Sequence, residues 1–143
     1  MKVLIAADHA GFDLKTQLIH SEIFKSLNIE IEDLGPMNNQ SVDYPDYAKL
    51  VAKRVNEDVL LQGILICGSG QGMSITANKF PKVRAALCLD ENMAMLARAH
   101  NNANILCLGS RLSSFELAKK ILSVFFKTPF EGGRHQTRVD KIC

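Results

Sequence analysis

Five short apolar runs, separated by stretches whose apolar residues recur at helical spacing, constrain this 143-residue chain more than any other feature. Lys2 to Ala7 is continuously apolar after its first residue, as a strand covered on both faces must be. Leu14 and Leu18 then stand one turn apart, and Ile19, Ile23 and Leu27 form a second row of one helix. Ile29 to Leu34 alternates apolar and acidic residues, the mark of an outer strand, and Gly35-Pro36 ends it. Asp43 and Pro45 predict a helix start, with Tyr44, Tyr47, Ala48, Val51 and Val55 as its buried stripe. Gly63 to Cys67 is the third strand, followed by a helix from near Gly72 to Lys79. Val83 to Leu89 is the fourth, and Asp90 caps a helix that carries Met93, Met95, Leu96 and Ala97 toward His100. Ile105 to Leu108 is the fifth, closed by Gly109-Ser110-Arg111. Ser113 and Glu116 predict a capping box for a last helix with Ala118, Ile121, Leu122 and Phe125 inward. Strands alternating with helices imply a doubly wound, Rossmann-like α/β fold: a parallel five-stranded sheet in a three-layer α/β/α sandwich.

The length suits one domain, residues 1–143, large enough to bury a core without metals or disulfides. A net charge of +2 with no basic stripe argues against a nucleic-acid surface, and no apolar run approaches membrane-spanning length. Cys67, Cys88, Cys107 and Cys143 show no C-x-x-C pairing. With no signal peptide evident, they are expected to be reduced thiols of a cytoplasmic protein: Cys88 and Cys107 as core fillers, Cys143 as a terminal thiol without a role.

In doubly wound sheets, ligands bind outside the carboxyl ends of the strands. That rule gathers Asp8-His9, the loop from Cys67 to Gly72 and the turn from Gly109 to Arg111 along one rim. The loop Cys67-Gly68-Ser69-Gly70-Gln71-Gly72 combines a thiol with three glycines. Glycine at that density lets backbone N–H groups converge on an anion, and neighbouring amide dipoles favour thiolate over thiol. The spacing G-x-G-x-G is not the dinucleotide fingerprint, so nicotinamide binding is disfavoured. Asp8 either caps the following helix or serves the rim. His100 either answers the helix dipole or exchanges protons. Arg134 and Arg138, one helical turn apart if helical, form either a solvated turn or a phosphate clamp. The pattern points to an enzyme acting on a small anion, with a nucleotide-binding regulatory module as the competing class.

Six blocks in order carry a resemblance across nearly the whole chain. They are Ala7-Asp8-His9-Ala10-Gly11; Asp43-Tyr44-Pro45; Ile66-Cys67-Gly68-Ser69-Gly70 with Ala77-Asn78-Lys79; Arg98-Ala99-His100-Asn101; Leu108-Gly109-Ser110-Arg111; and Glu131-Gly132-Gly133-Arg134-His135. The chain resembles type B ribose-5-phosphate isomerase, in the group of sugar-phosphate isomerases that includes galactose-6-phosphate isomerase.

The resemblance implies interconversion of ribose 5-phosphate and ribulose 5-phosphate in the non-oxidative pentose phosphate pathway, with no metal and no other cofactor. By it, Cys67 is the base; relatives that lack the thiol carry a glutamate where this chain has Met73. Ser69 and the N–H groups of Gly68, Gly70 and Gly72 steady the oxyanion. His100 opens the sugar ring, with Asp8 and Asp43 on the hydroxyls or ring oxygen. His9, Arg111, Arg134 and Arg138 hold the phosphate, and Asn101 joins the substrate ligands. The resemblance further implies a homo-oligomer, dimer or tetramer, whose site is shared between subunits. Galactose-6-phosphate relatives typically lack the histidine and arginine cluster, which sets this chain on the ribose side, with allose 6-phosphate as a further substrate.

Overall fold

The computed structural model describes residues 1–142, so Cys143 lies outside the described residues. Its elements run β1 (Lys2–Ala7), α1 (Phe12–His20), α2 (Ile23–Ser26), β2 (Glu30–Asp33), α3 (Tyr44–Glu57) and β3 (Gln62–Cys67). They continue with α4 (Gln71–Ala77), β4 (Ala85–Leu87), α5 (Glu91–Asn101), β5 (Ile105–Gly109), α6 (Phe115–Lys127) and α7 (Arg134–Val139). The sheet is parallel throughout, in the order β2-β1-β3-β5-β4. Sheet order turns back at β1 and β3: β2 lies outside β1, and everything after β3 lies on β3's other side. A crevice opens at such a switch point, between the carboxyl ends of the two strands.

Alternate residues of each strand serve opposite layers. Val3, Ile5, Ala7, Ile64, Ile66, Leu106 and Leu108 pack with residues of α1, α2, α5 and α6. Leu4, Ala6, Leu65, Cys67, Ile105 and Cys107 pack with residues of α3 and α4. Cys88 and Cys107 are buried as expected. Burial pushes the Cys88 thiol up to about 12, with Asp90 adding to it, and pushes Cys107 up as well.

Several expectations need correction. The first helix is two, α1 and α2, because the Ser21 hydroxyl donates to Leu18 O at 2.7 Å and accepts from the Ile23 amide at 3.3 Å. A side chain that satisfies backbone groups locally competes with the helical ladder. The cap of α6 is Ser114, whose Oγ accepts from the Leu117 amide at 3.1 Å, so Ser113 and Glu116 form no capping box. Ser113 is instead buried, and its hydroxyl has no hydrogen-bond partner among the described residues. On α5 the alanines Ala94, Ala97 and Ala99 face inward, while Met93, Met95 and Leu96 are exposed. The fourth strand is three residues long, shorter than Val83 to Leu89.

One buried residue has no counterpart among the sequence expectations. Lys15 on α1 is 1% exposed. Its Nζ donates to both carboxylate oxygens of Asp33, at 2.7 and 2.9 Å, and to Pro36 O at 2.7 Å. An ammonium has three protons, and here each has an acceptor.

Candidate active site

The rim is assembled by backbone hydrogen bonds between three loops. The Asp8 amide donates to Ile66 O at 3.1 Å, tying the end of β1 to β3. The Ser110 and Arg111 amides donate to Cys67 O and Gly68 O at 2.8 and 2.9 Å, and the Ser110 hydroxyl donates to Ala10 O at 2.8 Å. Asp8 is buried, and its Oδ1 accepts from the Gly11 amide at 3.0 Å, which fixes the turn into α1. Asp8 therefore holds the turn and faces the rim at once.

Between these loops lies a cavity of about 550 Å³, lined among others by Asp8, His9, Cys67, Gly68, Ser69 and Arg111. Gly72 and Tyr44 complete one wall, with Tyr44 packed so closely that a Cβ on Gly72 would meet its ring at 2.6 Å. Tyr44 is 42% exposed. The expected buried stripe therefore begins at Tyr47, and Tyr44, in the first turn of α3, reaches over the crevice instead of the core. Helical spacing marked its direction but not that the sheet ends beneath it.

Cys67 closes β3 and takes its place in the cavity through the turn that follows. Gly70 has φ +76°, a conformation an L side chain adopts only with strain, and this bends the Gly70 amide back to donate to Cys67 Sγ at 3.1 Å. Gly70 thus serves the sulfur and does not line the cavity, unlike Gly68 and Gly72. The Ser69 hydroxyl accepts from the Gln71 amide at 3.3 Å, at the start of α4. Arg111 lies across the loop, its Nη1 2.9 Å from where a Cβ on Gly68 would sit. His9 is exposed, with Nδ1 3.2 Å from both the amide and the carbonyl of Val42. Asp43, also exposed, precedes α3 beside Tyr44.

His100, Asn101, Arg134 and Arg138 do not line this cavity. A helix between parallel strands starts at their carboxyl end and finishes at the amino end. His100 lies in the last turn of α5, just before β5 begins, whereas Cys67 pairs with Gly109 at the far end of β5. The five residues of β5 put roughly 15 Å of sheet between the two groups. The segment that carries Arg134 and Arg138, left open between a helix and a turn, is helical as α7, which packs against α5.

Among the described residues, His100, Glu131 and His135 are the one trio of metal-ligand type, with ligand atoms within 4.8 Å of one another. The two imidazoles are stacked, centroids 4.2 Å apart and planes within 10°. A metal ion lies near the plane of each imidazole that binds it, and one ion cannot lie in two separated parallel planes. The trio as arranged does not fit a metal.

A family model described as "Ribose/Galactose Isomerase" matches residues 3–142. The chain belongs to that ribose/galactose isomerase family. Within the family, ribose-5-phosphate isomerase B of Escherichia coli is 42% identical over 141 residues, covering 99% of this chain and 93% of the relative. The solved ribose 5-phosphate isomerase of Thermotoga maritima superposes with a TM-score of 0.90 at 52% identity, covering 99% of this chain and 96% of that one. The Mycoplasma genitalium ribose-5-phosphate isomerase B, solved with bound ribulose-5-phosphate, superposes at 0.91 with 48% identity over 99% and 93% of the two chains. The doubly wound sheet is therefore that of the isomerase family. No helix among the described residues is long and apolar enough to cross a membrane.

Proposed function

We propose that this protein interconverts ribose 5-phosphate and ribulose 5-phosphate, with Cys67 as the base, in a homo-oligomer whose sites combine two subunits. One observation carries the catalytic assignment: a thiol at the switch-point crevice, with the Gly70 amide aimed at its sulfur. Such a contact strengthens as charge gathers on the sulfur. With the open-chain aldose in the cavity, the thiolate takes the proton from C2. The electrons form a C1–C2 double bond, and O1 becomes an enediolate oxygen. Ser69 and the N–H groups of Gly68 and Gly72 stabilise that oxygen, each donor contributing about 10²–10³ in rate. The thiol then returns the proton to C1 while the O2 hydroxyl proton passes to O1, so that O2 becomes the ketone oxygen and O1 a hydroxyl. His9 and Arg111 take the phosphate.

Ring opening needs a proton donor, and the opposite-end position of His100 supports a second subunit as its source. An isologous pair sets the amino end of one sheet beside the crevice of the other. His100, Asn101, Arg134 and Arg138 of one chain then complete the other's site, with Asp8 and Asp43 on the sugar hydroxyls. The exposed Met93, Met95 and Leu96 of α5 are the apolar surface such a pairing would cover.

Ketose formation from ribose 5-phosphate tests this directly. Cys67→Ser should lower kcat by about 10²–10⁴ with KM changed only a few-fold. Correctly folded wild-type protein without turnover overturns the assignment.

A further inference from the structure

Glu131 meets two imidazoles with one oxygen. Its Oε2 lies 3.3 Å from His135 Nε2 and 3.8 Å from His100 Nε2, beside the stacked rings. The backbone holds it there. The Glu131 amide donates to Ala99 O at 3.0 Å, fastening the loop to the last turn of α5. Gly132 and Gly133, with φ +67° and +55°, then reverse the chain. The His135 amide donates to Gly132 O at 3.0 Å, and its ring is buried against His100. Glu131 itself is exposed, so nothing in core packing accounts for its placement.

We propose that Glu131 is a positioning residue for ring opening, acting through His100. This rests on the assignment of ring opening to His100. At 3.8 Å the contact is electrostatic and not a hydrogen bond, and the negative charge of Glu131 favours a proton on the Nε2 that faces it and leaves Nδ1 of His100 for the sugar. The stacked His135 ring restricts His100 to that plane. In ring opening the C1–O4 bond breaks and its electron pair goes to O4, which takes a proton from Nδ1 of protonated His100. O1 loses its proton to water as the C1–O1 double bond forms, and water later restores the proton at Nδ1.

The two substrates separate this role from a merely structural one. Ribose 5-phosphate closes a furanose through O4. Ribulose 5-phosphate stays open, because the O5 that would close its ring carries the phosphate. Glu131→Gln should lower kcat/KM for ribose 5-phosphate about 10- to 100-fold, part of the 10²–10⁴ available to general acid–base catalysis. The same variant should keep deuterium uptake from ²H₂O at C1 of ribulose 5-phosphate within about twofold, because that exchange needs only the enediolate. Glu131→Asp, which keeps the charge, should recover part of the aldose rate. Equal losses in both measurements, or no loss in either, overturn the proposal. If wild-type protein converts neither substrate, it is the isomerase assignment that fails.

Discussion

Lys15→Met removes an ammonium whose three protons are all accepted inside the fold, while filling nearly the same volume. The loss has two parts. Pro36 O, buried with Lys15, is left without its donor, which costs about 1–3 kcal/mol. Asp33 loses its counter-ion, but its side chain is 29% exposed and regains water, so the loss falls short of the ~3–5 kcal/mol of a fully buried pair. The Gly35 amide also still donates to Asp33 Oδ1. Because the methionine recovers some apolar burial, the net destabilisation should be about 2–3 kcal/mol. With an unfolding entropy of about 0.3 kcal/mol/K for a chain this size, the melting midpoint should fall by about 7–10 °C at fixed protein concentration. Circular-dichroism melts of Lys15→Met, Asp33→Asn and the double variant close a cycle. In the Lys15→Met background, Asp33→Asn should cost much less than in the wild type, giving a coupling of about 1–3 kcal/mol. Additive single effects would show that the pair is not coupled and that Lys15 is retained only for its aliphatic stem.

Gly70→Ala places a methyl 2.6 Å from Leu87 Cδ1 and 2.9 Å from the Leu108 carbonyl carbon, at a positive φ. It should destabilise by about 2–4 kcal/mol and cut kcat as the amide leaves the sulfur, read by melts and steady-state kinetics together. Among Cys67, Cys88 and Cys107, iodoacetamide should label Cys67 alone in the folded protein, and a sugar phosphate should protect it; peptide mass spectrometry tests both. The high Cys88 and Cys107 values, set by burial, keep those two as thiols. The hydrogen bond from Arg54, helped by Lys2, holds the Glu32 carboxyl at about 2, below its ordinary 4.5. A depressed folded value means the contribution is present above pH ~4.5 and lost as pH falls toward ~2. Melts of wild type and Glu32→Gln should therefore converge across that window, and convergence should come sooner in high salt.

Much of the fold was legible because two periodicities, two residues in strands and 3.6 in helices, recur along one chain. What escaped were features decided by single contacts. The split between α1 and α2 turns on one serine hydroxyl, and the α6 cap on which of two adjacent serines the backbone leaves extended. Lys15 sits beside Leu14 on a buried face, and no periodic rule identifies the acceptors that Asp33 and Pro36 bring from the next strand and turn. At the site, Asp8, Cys67 and Arg111 could be read from their places at strand ends. Tyr44 was mistaken for core because its spacing is that of core. His100, Arg134 and Arg138 were visible as unusual residues, but their separation from the crevice follows from chain direction through the sheet. Glu131 stood within a recognised block, yet only the reversal at Gly132-Gly133 brings it to two histidines.

The length of one strand lies between the thiol and the stacked imidazoles, so under the proposed two-subunit site lesions at the two ends would belong to different catalytic units. In a mixed dimer of Cys67→Ser and His100→Ala chains, one site inherits both faults and its twin inherits neither. Random pairing of two inactive preparations should then restore about a quarter of the native activity, a gain that neither parent shows alone.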